Sequence, residues 1–336
     1  MKLSICVIFH NQINYINRVL NSIYSQNLPF EYEILLGDDN STDGTWEELN
    51  NLSKKNSKIK CYQINSSDFN PDDTIDRSGV NRWNVYQHIT GEYFSFIDAD
   101  DYYIDDNRFV DQIKMLEKNP DCSVCSANVA LYKEGKKPEY LNLMHGEDQF
   151  SNGQTFTAQY FLNGFFHNSS CVIRKPAQDY SKKFSPFIFD DYTLTLMHLS
   201  EGNIIYYNKP VFAYIQQQNS IYTKYSRYEK YLRSICRTQK SIDAFPQYKT
   251  HFQSYFTDTV YYLITTNDEK NITENGIELA NKMIPRIWNL INKHTFNNKM
   301  KCTFIKLSFL FIRCLNKIHR GDYCFIKSIA YKLFIK

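Results

Sequence analysis

The chain has 336 residues, enough for one large domain or two, and its 43% hydrophobic content is ordinary for a globular protein. No run of about 18 apolar residues predicts a membrane-spanning helix, and the first apolar run is too short for a signal peptide. The nine cysteines lack zinc spacing, so we expect reduced thiols in a cytoplasmic protein. The net charge of +3 divides unequally, because residues 282–336 carry +11 and the remainder carries −8.

The N-terminal part of the chain alternates strand and helix patterns. In chain order the pattern predicts a strand at 3–9, a helix at 15–24, a strand at 32–36, a helix from 45 and a strand at 58–64. Thr45-x-x-Glu48 resembles a capping box, in which two side chains satisfy the first N–H groups of a helix. This alternation predicts a three-layer α/β/α sandwich with a mostly parallel central sheet.

The middle of the chain continues with less regular elements. The pattern predicts a loop at 65–79, a helix at 80–89, a strand at 93–97, a helix from 107, a strand at 122–132, a loop at 133–155, a helix at 156–164, a strand at 169–174, a helix at 192–199, a strand at 204–207 and a closing segment at 210–214. From about residue 225 the pattern is helical. We therefore expect a first domain at 1–222, with halves 1–101 and 102–222, and a helical, basic C-terminal region at 223–336.

The strand at 93–97 is followed by three carboxylates, Asp98, Asp100 and Asp101. Open α/β sheets bind their ligands beyond the carboxyl ends of the strands. Neighbouring carboxylates repel each other unless a cation lies among them. Mg²⁺ and similar ions bind a few carboxylates together with phosphate oxygens. A divalent ion carrying a diphosphate therefore fits this segment, and a solvated turn after the strand is the alternative.

Four separate stretches of the chain carry distinctive short motifs. They are Ile8-Phe9-His10-Asn11, the Asp- and Thr-rich stretch 36–45, the stretch 91–101 that ends in Asp-Ala-Asp-Asp, and Phe189-Asp190-Asp191-Tyr192 followed by 214–220. In order and spacing these stretches resemble glycosyltransferase family 2, the inverting enzymes of GT-A fold, over roughly residues 1–220. The chain departs from the family in lacking the usual Pro before His10 and in having Trp83 where the family has Asn.

The resemblance implies a nucleoside diphosphate sugar as the donor, with UDP the expected nucleotide, and Mn²⁺ or Mg²⁺ as the cofactor. The residues that it places on the donor side are Phe9, Asn11, Asp39, Arg82, Asp98 and Asp100. Among them, Asp39 would accept a hydrogen bond from the base edge and Asp98 would lie near the ribose. Asp100 would ligate the metal, and Arg82 would reach the phosphates.

Several of these residues also have structural interpretations. Asp39 can form an Asx-turn or cap a helix. Asp101 can be a metal ligand or a cap of the helix that follows it. Arg82 can be an exposed helix residue, since Arg side chains are mostly exposed.

An inverting transfer needs a base that takes the proton of the attacking acceptor hydroxyl. The resemblance assigns this role to Asp191, the second residue of the family's Glu-Asp motif. Asp190 stands where the family has Glu, and Asp190 and His167 are the predicted acceptor-side residues. Alternatively, Asp190-Asp191 caps a helix, and a lone His is more often structural.

The apolar and basic blocks of 282–336 predict either peripheral contact with an anionic membrane at the inner face of the cell or a helical subdomain with a solvated basic face. No nucleic-acid-binding fold is indicated. We expect a hexosyl-type glycosyltransferase (EC 2.4) that extends a glycan or polyprenyl-linked acceptor in surface polysaccharide synthesis. The alternative is a non-catalytic nucleotide-sugar-binding module of a polysaccharide synthase complex.

Overall fold

The computed structural model describes most of the first 265 residues. The described ranges are 1–68, 74–133, 137–141, 150–162, 166–216 and 226–265. The chain divides into two compact units, Met1–Gln217 and Gln218–Lys336. The assignment of a catalytic domain to 1–222 stays a prediction, and the basic segment 282–336 lies outside the described residues.

One mixed sheet runs through the first unit. Its strands are β1 (Leu3–Phe9), β2 (Tyr32–Asp39), β3 (Ile59–Ile64), β4 (Tyr93–Asp98), β5 (Tyr102–Tyr103), β6 (Cys122–Lys133), β7 (Glu139–Leu141), β8 (Thr155–Phe156), β9 (Val172–Arg174) and β10 (Asn203–Gln216). Their order across the sheet is β3-β2-β1-β4-β9-β6-β10-β5, with β7 beside β6 and β8 beside β10. The long ladders β3-β2, β2-β1, β1-β4 and β6-β10 are parallel, whereas β9 pairs antiparallel with β4 and β6.

The helices connect and cover these strands. In the first unit they are α1 (Ile16–Tyr24), α2 (Thr45–Lys55), α3 (Thr74–Tyr86), α4 (Arg108–Lys118), α5 (Ala158–Leu162), α6 (Tyr180–Lys183) and α7 (Asp191–His198). The second unit contributes α8 (Arg227–Ala244) and α9 (Lys249–Thr265). Within the described residues, no helix combines the length and the apolarity that crossing a membrane requires.

β1 is buried along its whole length because helices cover both faces of the sheet. Its odd-numbered residues, Leu3 to Phe9, belong to one hydrophobic core together with residues of α1, α2 and α4. α3 packs on β2, and the contact depends on Gly37. A Cβ atom at Gly37 would lie only 2.4 Å from Cγ2 of Val85, so no larger residue fits there without movement of α3.

Several element boundaries differ from the sequence predictions. β2 continues through Asp39, three residues beyond the predicted end, because its last residues pair with β3. α3 begins at Thr74, inside the predicted loop 65–79. The predicted capping box is wrong, since the N-cap of α2 is Gly44, whose φ of 93° is left-handed, and the Thr45 N–H donates instead to Oδ1 of Asp43 at 3.0 Å.

The second half of the sheet also differs in detail. β7 and the start of β8 lie inside the predicted loop 133–155. The two predicted segments 204–207 and 210–214 form the single strand β10, which shifts register against β6 on both sides of Pro210. Proline donates no backbone hydrogen bond, so a register shift at Pro210 allows the strand to continue.

The second unit is helical in its described part. α8 starts with a capping box, because the Ser226 side chain accepts from the Glu229 N–H and the Glu229 side chain accepts from the Ser226 N–H. α8 and α9 pack against each other, and the rings of Tyr231 and Tyr262 lie 4.3 Å apart.

A buried carboxylate ties together the starts of three strands. The Glu33 side chain is 1% exposed at the beginning of β2. Its Oε1 accepts hydrogen bonds from Ser4 Oγ at 2.7 Å and from Thr90 Oγ1 at 2.6 Å, and its Oε2 accepts from Lys60 Nζ at 2.8 Å. Burial raises the pKa of Glu33, but the hydrogen bonds from Lys60, Thr90 and Ser4 outweigh burial and lower the pKa to about 2.

We expect Glu33→Gln to lower the free energy of unfolding by about 3 kcal/mol at pH 7. Gln cannot form an ion pair with Lys60, and the variant loses the stabilisation that corresponds to the lowered pKa of Glu33. The contribution of Glu33 is fully present above the unfolded-state pKa near 4.5 and is lost as the pH falls toward 2. Urea unfolding followed by circular dichroism at pH 7 and pH 3 measures both values. Glu92→Gln is the matched control, because Glu92 is exposed and its ion pair with Lys2 contributes little. An equal loss at both pH values would contradict this assignment.

Candidate active site

The carboxyl ends of β1, β2 and β4 meet at one edge of the sheet. Asp98 at the end of β4 lies beside Ile8 in the parallel register, and Phe9 lies beside Asp38. Polar side chains that follow these strands are therefore neighbours in space, although they are far apart in the chain. This is the edge at which open α/β sheets bind ligands.

The loops after β1 and β2 are tied to each other. Asn11 has a φ of 52°, which Asn tolerates better than most residues, and its Oδ1 accepts from the Thr42 N–H at 2.8 Å. The Asn11 N–H donates to Ser41 Oγ at 2.8 Å. Asp38 completes the turn, because its Oδ2 accepts from the Ser41 N–H at 3.0 Å. Asn11 thus shapes the loop at which it was expected to meet the donor.

Asp39 is buried and joins the ends of β2 and β3. Its Oδ1 accepts from the Ser66 N–H at 2.9 Å, and its Oδ2 accepts from Ser66 Oγ at 2.7 Å. Arg77 of α3 lies 3.4 Å from Asp39 Oδ2 through its Nε. The Asx-turn interpretation is wrong for Asp39, since Asp38 makes the turn. The predicted contact with a base edge would use the remaining lone pairs of the Asp39 carboxylate.

Phe9, which was predicted to lie on the donor side of the site, has a buried side chain. Phe9 is 0% exposed and belongs to the hydrophobic core, because it shares a strand face with Leu3, Ile5 and Val7. The Phe9 backbone is what lies at the site. Its carbonyl accepts from Nδ2 of the buried Asn81 at 3.2 Å, and the same Nδ2 donates to the carbonyl of Gly37.

The carboxylate-rich turn after β4 is held by its neighbours. Arg18 of α1 donates to the carbonyl of Asp100. Asp101 is 1% exposed, and its Oδ1 accepts from the Ile215 N–H of β10 at 2.9 Å. The cap interpretation is wrong for Asp101, because α4 starts seven residues further on, at Arg108. Asp101 anchors the turn to the far strand of the sheet.

The charges in this turn fit a divalent cation. Burial and the nearby negative charge of Asp98 raise the pKa of Asp100 to about 6. Burial, and secondly the charge of Asp100, raise the pKa of Asp101 well above its ordinary value. The guanidinium of Arg18 opposes both shifts but is outweighed, so these carboxylates are short of compensating positive charge. Within the described residues, no three His, Cys, Asp or Glu side chains cluster closely enough to hold a metal by themselves. An ion at Asp100 would thus take its further ligands from substrate phosphates and water.

Arg82 brings the two halves of the first unit together. Its Nη2 donates to Asp98 Oδ1 at 2.8 Å and Oδ2 at 3.1 Å, and lies 3.0 Å from Oδ1 of Asp191. The interpretation of Arg82 as an exposed helix residue is wrong, since its side chain is only 5% exposed. Burial by itself would lower the pKa of Arg82, but the carboxylates of Asp191 and Asp98 outweigh burial and raise it.

Asp190 and Asp191 lie at the start of α7 and differ in their structural roles. Asp190 is the N-cap, and its Oδ1 accepts from the Thr193 N–H at 2.8 Å and from Thr193 Oγ1 at 2.7 Å. Asp191 is the first helical residue, and its side chain remains 34% exposed. The cap interpretation therefore holds for Asp190, whereas Asp191 points its carboxylate to Arg82.

His167 lies near the same carboxylates. Its ring packs 4.9 Å from Phe212 and 5.1 Å from Tyr214, and its Nδ1 accepts from the Ser169 N–H at 3.3 Å. Burial lowers the pKa of His167, although Asp191 and Asp98 oppose this effect. The imidazole is thus neutral near pH 7, and the hydrogen bond to Nδ1 assigns its proton to Nε2.

Sequence reasoning missed four residues that shape this site. They are Arg18, Ser66, Arg77 and Asn81, whose contacts are given above. Asn81 and Arg82 are adjacent on α3, so a polar pair beside the apolar Val80 and Val85 was a usable signal. Ser66 carried no signal, since its contact with Asp39 joins residues 27 positions apart.

The family model for glycosyl transferase family 2 matches residues 4–181, which include every donor-side residue predicted above. The chain belongs to glycosyltransferase family 2. Members of this family are glycosyltransferases (EC 2.4). The match ends before Asp190 and Asp191.

Relatives of this family 2 chain are distant. An uncharacterised protein of Mycobacterium tuberculosis is 29% identical over 138 residues, which cover 40% of this chain and only 37% of that protein. The GalNAc(5)-diNAcBac-PP-undecaprenol beta-1,3-glucosyltransferase of Campylobacter jejuni is 24% identical over 274 residues, covering 78% of this chain and 82% of that protein.

Solved structures show the same fold as this family 2 chain. Staphylococcus aureus TarS 1-349 in complex with UDP-GlcNAc gives a TM-score of 0.58 at 17% identity and covers 92% of this chain and 88% of that chain. The mannosyltransferase PcManGT from Pyrobaculum calidifontis, in complex with GDP-Man and Mn²⁺, gives a TM-score of 0.51 at 14% identity. This match covers 100% of this chain and 88% of that chain. The α/β fold of this chain is therefore of the GT-A type.

Proposed function

We propose that this chain is an inverting glycosyltransferase that moves a sugar from a UDP-sugar to a glycan or polyprenyl-linked glycan acceptor in surface polysaccharide synthesis. The observation that carries the proposal is the meeting of Asp98 and Asp191 at Arg82. A candidate base from the second half of the unit thereby lies beside the carboxylate turn expected to hold the donor.

Residues of the sheet edge would hold the donor. Asp39 would accept from the base, Asp98 would lie near the ribose, and Asn11 would line the entrance loop. Asp100 would hold Mn²⁺ or Mg²⁺, which when bound offsets the charge on the leaving diphosphate. The raised pKa of Asp100 supports this role, because a carboxylate short of positive charge is suited to a cation.

The acceptor would react from the side of α7. Its hydroxyl oxygen attacks the anomeric carbon, and the bond from that carbon to the diphosphate breaks with its electron pair. Asp191 takes the hydroxyl proton, for which its exposed carboxylate is accessible. His167 and Asp190 border the same region, where His167 could donate a hydrogen bond from Nε2 to an acceptor hydroxyl.

The comparisons bear on donor and acceptor only by likeness. TarS is solved with UDP-GlcNAc and PcManGT with GDP-Man, so shared fold does not select the nucleotide. The name of the Campylobacter relative gives an undecaprenol-linked acceptor. A polyprenyl-linked acceptor would suit the predicted membrane contact of 282–336, a segment outside the described residues.

A binding screen tests the donor half of this proposal. Isothermal titration and thermal unfolding with UDP, GDP and ADP, each with and without Mn²⁺, would rank the nucleotides. We expect a Mn²⁺-dependent stabilisation by UDP of about 2.7 kcal/mol at a hundred times its dissociation constant. If no nucleoside diphosphate stabilises the protein in the presence of Mn²⁺, the proposed function is wrong.

A further inference from the structure

Arg82 is a buried cation shared by two carboxylates. Its guanidinium contacts Asp98 and Asp191 at 2.8 and 3.0 Å, while its Nη1 donates to Ser78 Oγ at 3.3 Å. The buried Nε has no hydrogen-bond partner among the described residues. One guanidinium therefore serves two carboxyl groups.

Stability alone explains this arrangement poorly. Taking an Arg out of water costs several kcal/mol, and well-packed apolar side chains often serve a core equally well. The two carboxylates, in contrast, are 35% and 34% exposed, so the cation is inside while its partners reach solvent. Such a group orients exposed carboxylates from within the protein.

The two carboxylates differ in how their backbones are held. Asp98 is the last residue of β4 and lies in register with Ile8 of β1, and its carbonyl accepts from the Asp101 N–H at 3.0 Å. Asp191 instead follows the short helical turn Pro186–Ile188 and begins α7. Pairing with β1 thus fixes the backbone of Asp98, whereas Asp191 lies outside the sheet and its carboxylate contacts Arg82 at 3.0 Å.

α3 is close enough for this contact because of Gly79, one turn before Arg82. A Cβ atom at Gly79 would lie 3.4 Å from the Pro186 carbonyl and 3.5 Å from the Asp190 nitrogen. The segment before α7 therefore packs directly on the backbone of α3. Arg82 then projects from the same part of α3 and reaches the first turn of α7.

We propose that Arg82 is a positioning residue that acts through Asp191 and holds its carboxylate in the direction needed for proton transfer. Arg82 contacts Oδ1 of Asp191, which leaves Oδ2 to accept the proton of the acceptor hydroxyl. This inference rests on the proposed function. It replaces the expected phosphate contact of Arg82 with a role on the acceptor side of the reaction.

A double-mutant cycle tests this inference on the full chain. The variants are Arg82→Gln, Asp191→Asn, the double variant and Arg82→Lys, with Arg174→Gln as the control. Arg174 is partly buried, donates to Tyr93 and Leu116, and lies at the opposite end of β4. One readout is the dissociation constant of UDP in the presence of Mn²⁺. The other is turnover, measured as the UDP released when GlcNAc is transferred from UDP-GlcNAc to water or to an added acceptor.

We expect Arg82→Gln to lower turnover by roughly 10- to 100-fold, part of what a general base contributes, while the UDP dissociation constant changes less than about threefold. If Arg82 acts through Asp191, the double variant is no slower than Asp191→Asn alone. Arg82→Lys keeps the positive charge and restores part of the turnover. Arg174→Gln leaves turnover and UDP binding unchanged, which separates the effect from the loss of a buried Arg.

Three results would overturn the inference. One is a UDP dissociation constant raised tenfold or more in Arg82→Gln, since Arg82 would then serve the donor. Another is a double variant whose loss of turnover equals the combined losses of the two single variants. The third is normal turnover of Arg82→Gln. Should Arg82→Gln fail to fold, the comparison of Arg82→Lys with and without Asp191→Asn decides the question. Absence of UDP binding in the unmodified protein would instead reject the proposed function, and the inference with it.

Discussion

Replacing Asp191 by Asn is expected to lower sugar transfer by ~100- to 10,000-fold, the range that a general base contributes. Asn has the size of Asp and can still contact Arg82, but it cannot take a proton from the acceptor hydroxyl. Donor binding should therefore remain within about threefold of the unmodified protein, because Asp191 lies on the acceptor side of the proposed site.

Steady-state rates with the donor selected by the binding screen measure this effect. Asp179→Asn is the matched control, because Asp179 likewise lies at the start of a helix, as the N-cap of α6, and its side chain is about half exposed. Normal transfer by Asp191→Asn would show that another residue is the base. If the unmodified protein binds UDP but transfers sugar to no acceptor, the alternative of a non-catalytic nucleotide-sugar-binding module is favoured.

Asp100→Asn should weaken the Mn²⁺-dependent binding of UDP by at least about 100-fold, since losing even an outer-shell partner of a metal costs 10- to 100-fold. The metal-free variant should be no less stable than the unmodified protein, because a partly buried carboxylate without enough positive charge opposes folding at pH 7. Loss of metal-dependent binding without loss of stability distinguishes a metal ligand from a structural residue.

Titration calorimetry with UDP at several Mn²⁺ concentrations checks the binding, and thermal unfolding in a chelator checks the stability. Asp106→Asn is the matched control, because Asp106 is exposed in the same loop region, its Oδ1 accepts from Ser25 Oγ and its carbonyl accepts from the Asn27 N–H. Equal Mn²⁺ dependence in Asp100→Asn and Asp106→Asn would remove Asp100 from the proposed metal site.

The first half of the fold was accessible from sequence for a physical reason. β1, β2 and β4 are buried on both faces, so they appear as apolar runs that end abruptly in polar residues. Their parallel order follows from the helices between them. The turn from Asp98 to Asp101 could be found from the sequence because three carboxylates directly after a buried strand repel one another unless a positive charge lies among them.

The failures have equally local causes. Strand alternation places the Phe9 side chain on the core face with Val7, so the predicted donor contact of Phe9 would have to be made by its backbone. The capping box at Thr45 failed because Gly44, at a φ of 93°, already ends the loop before α2. The partners of Arg82 are 16 and 109 positions away in the sequence, so only the assembled fold brings them together.

Asp101 has a consequence for building chimaeras with other family members. Its buried carboxylate accepts from the Ile215 N–H, near the last described residue of β10. The strand that closes the first unit is therefore also part of the support beneath the carboxylate-rich turn after β4. A splice placed before Ile215 would replace this support together with the C-terminal segment. A loss of catalytic activity in such a chimaera could then not be distinguished from a change in substrate specificity. A junction after Gln216 keeps the turn native and lets the C-terminal segment be exchanged by itself.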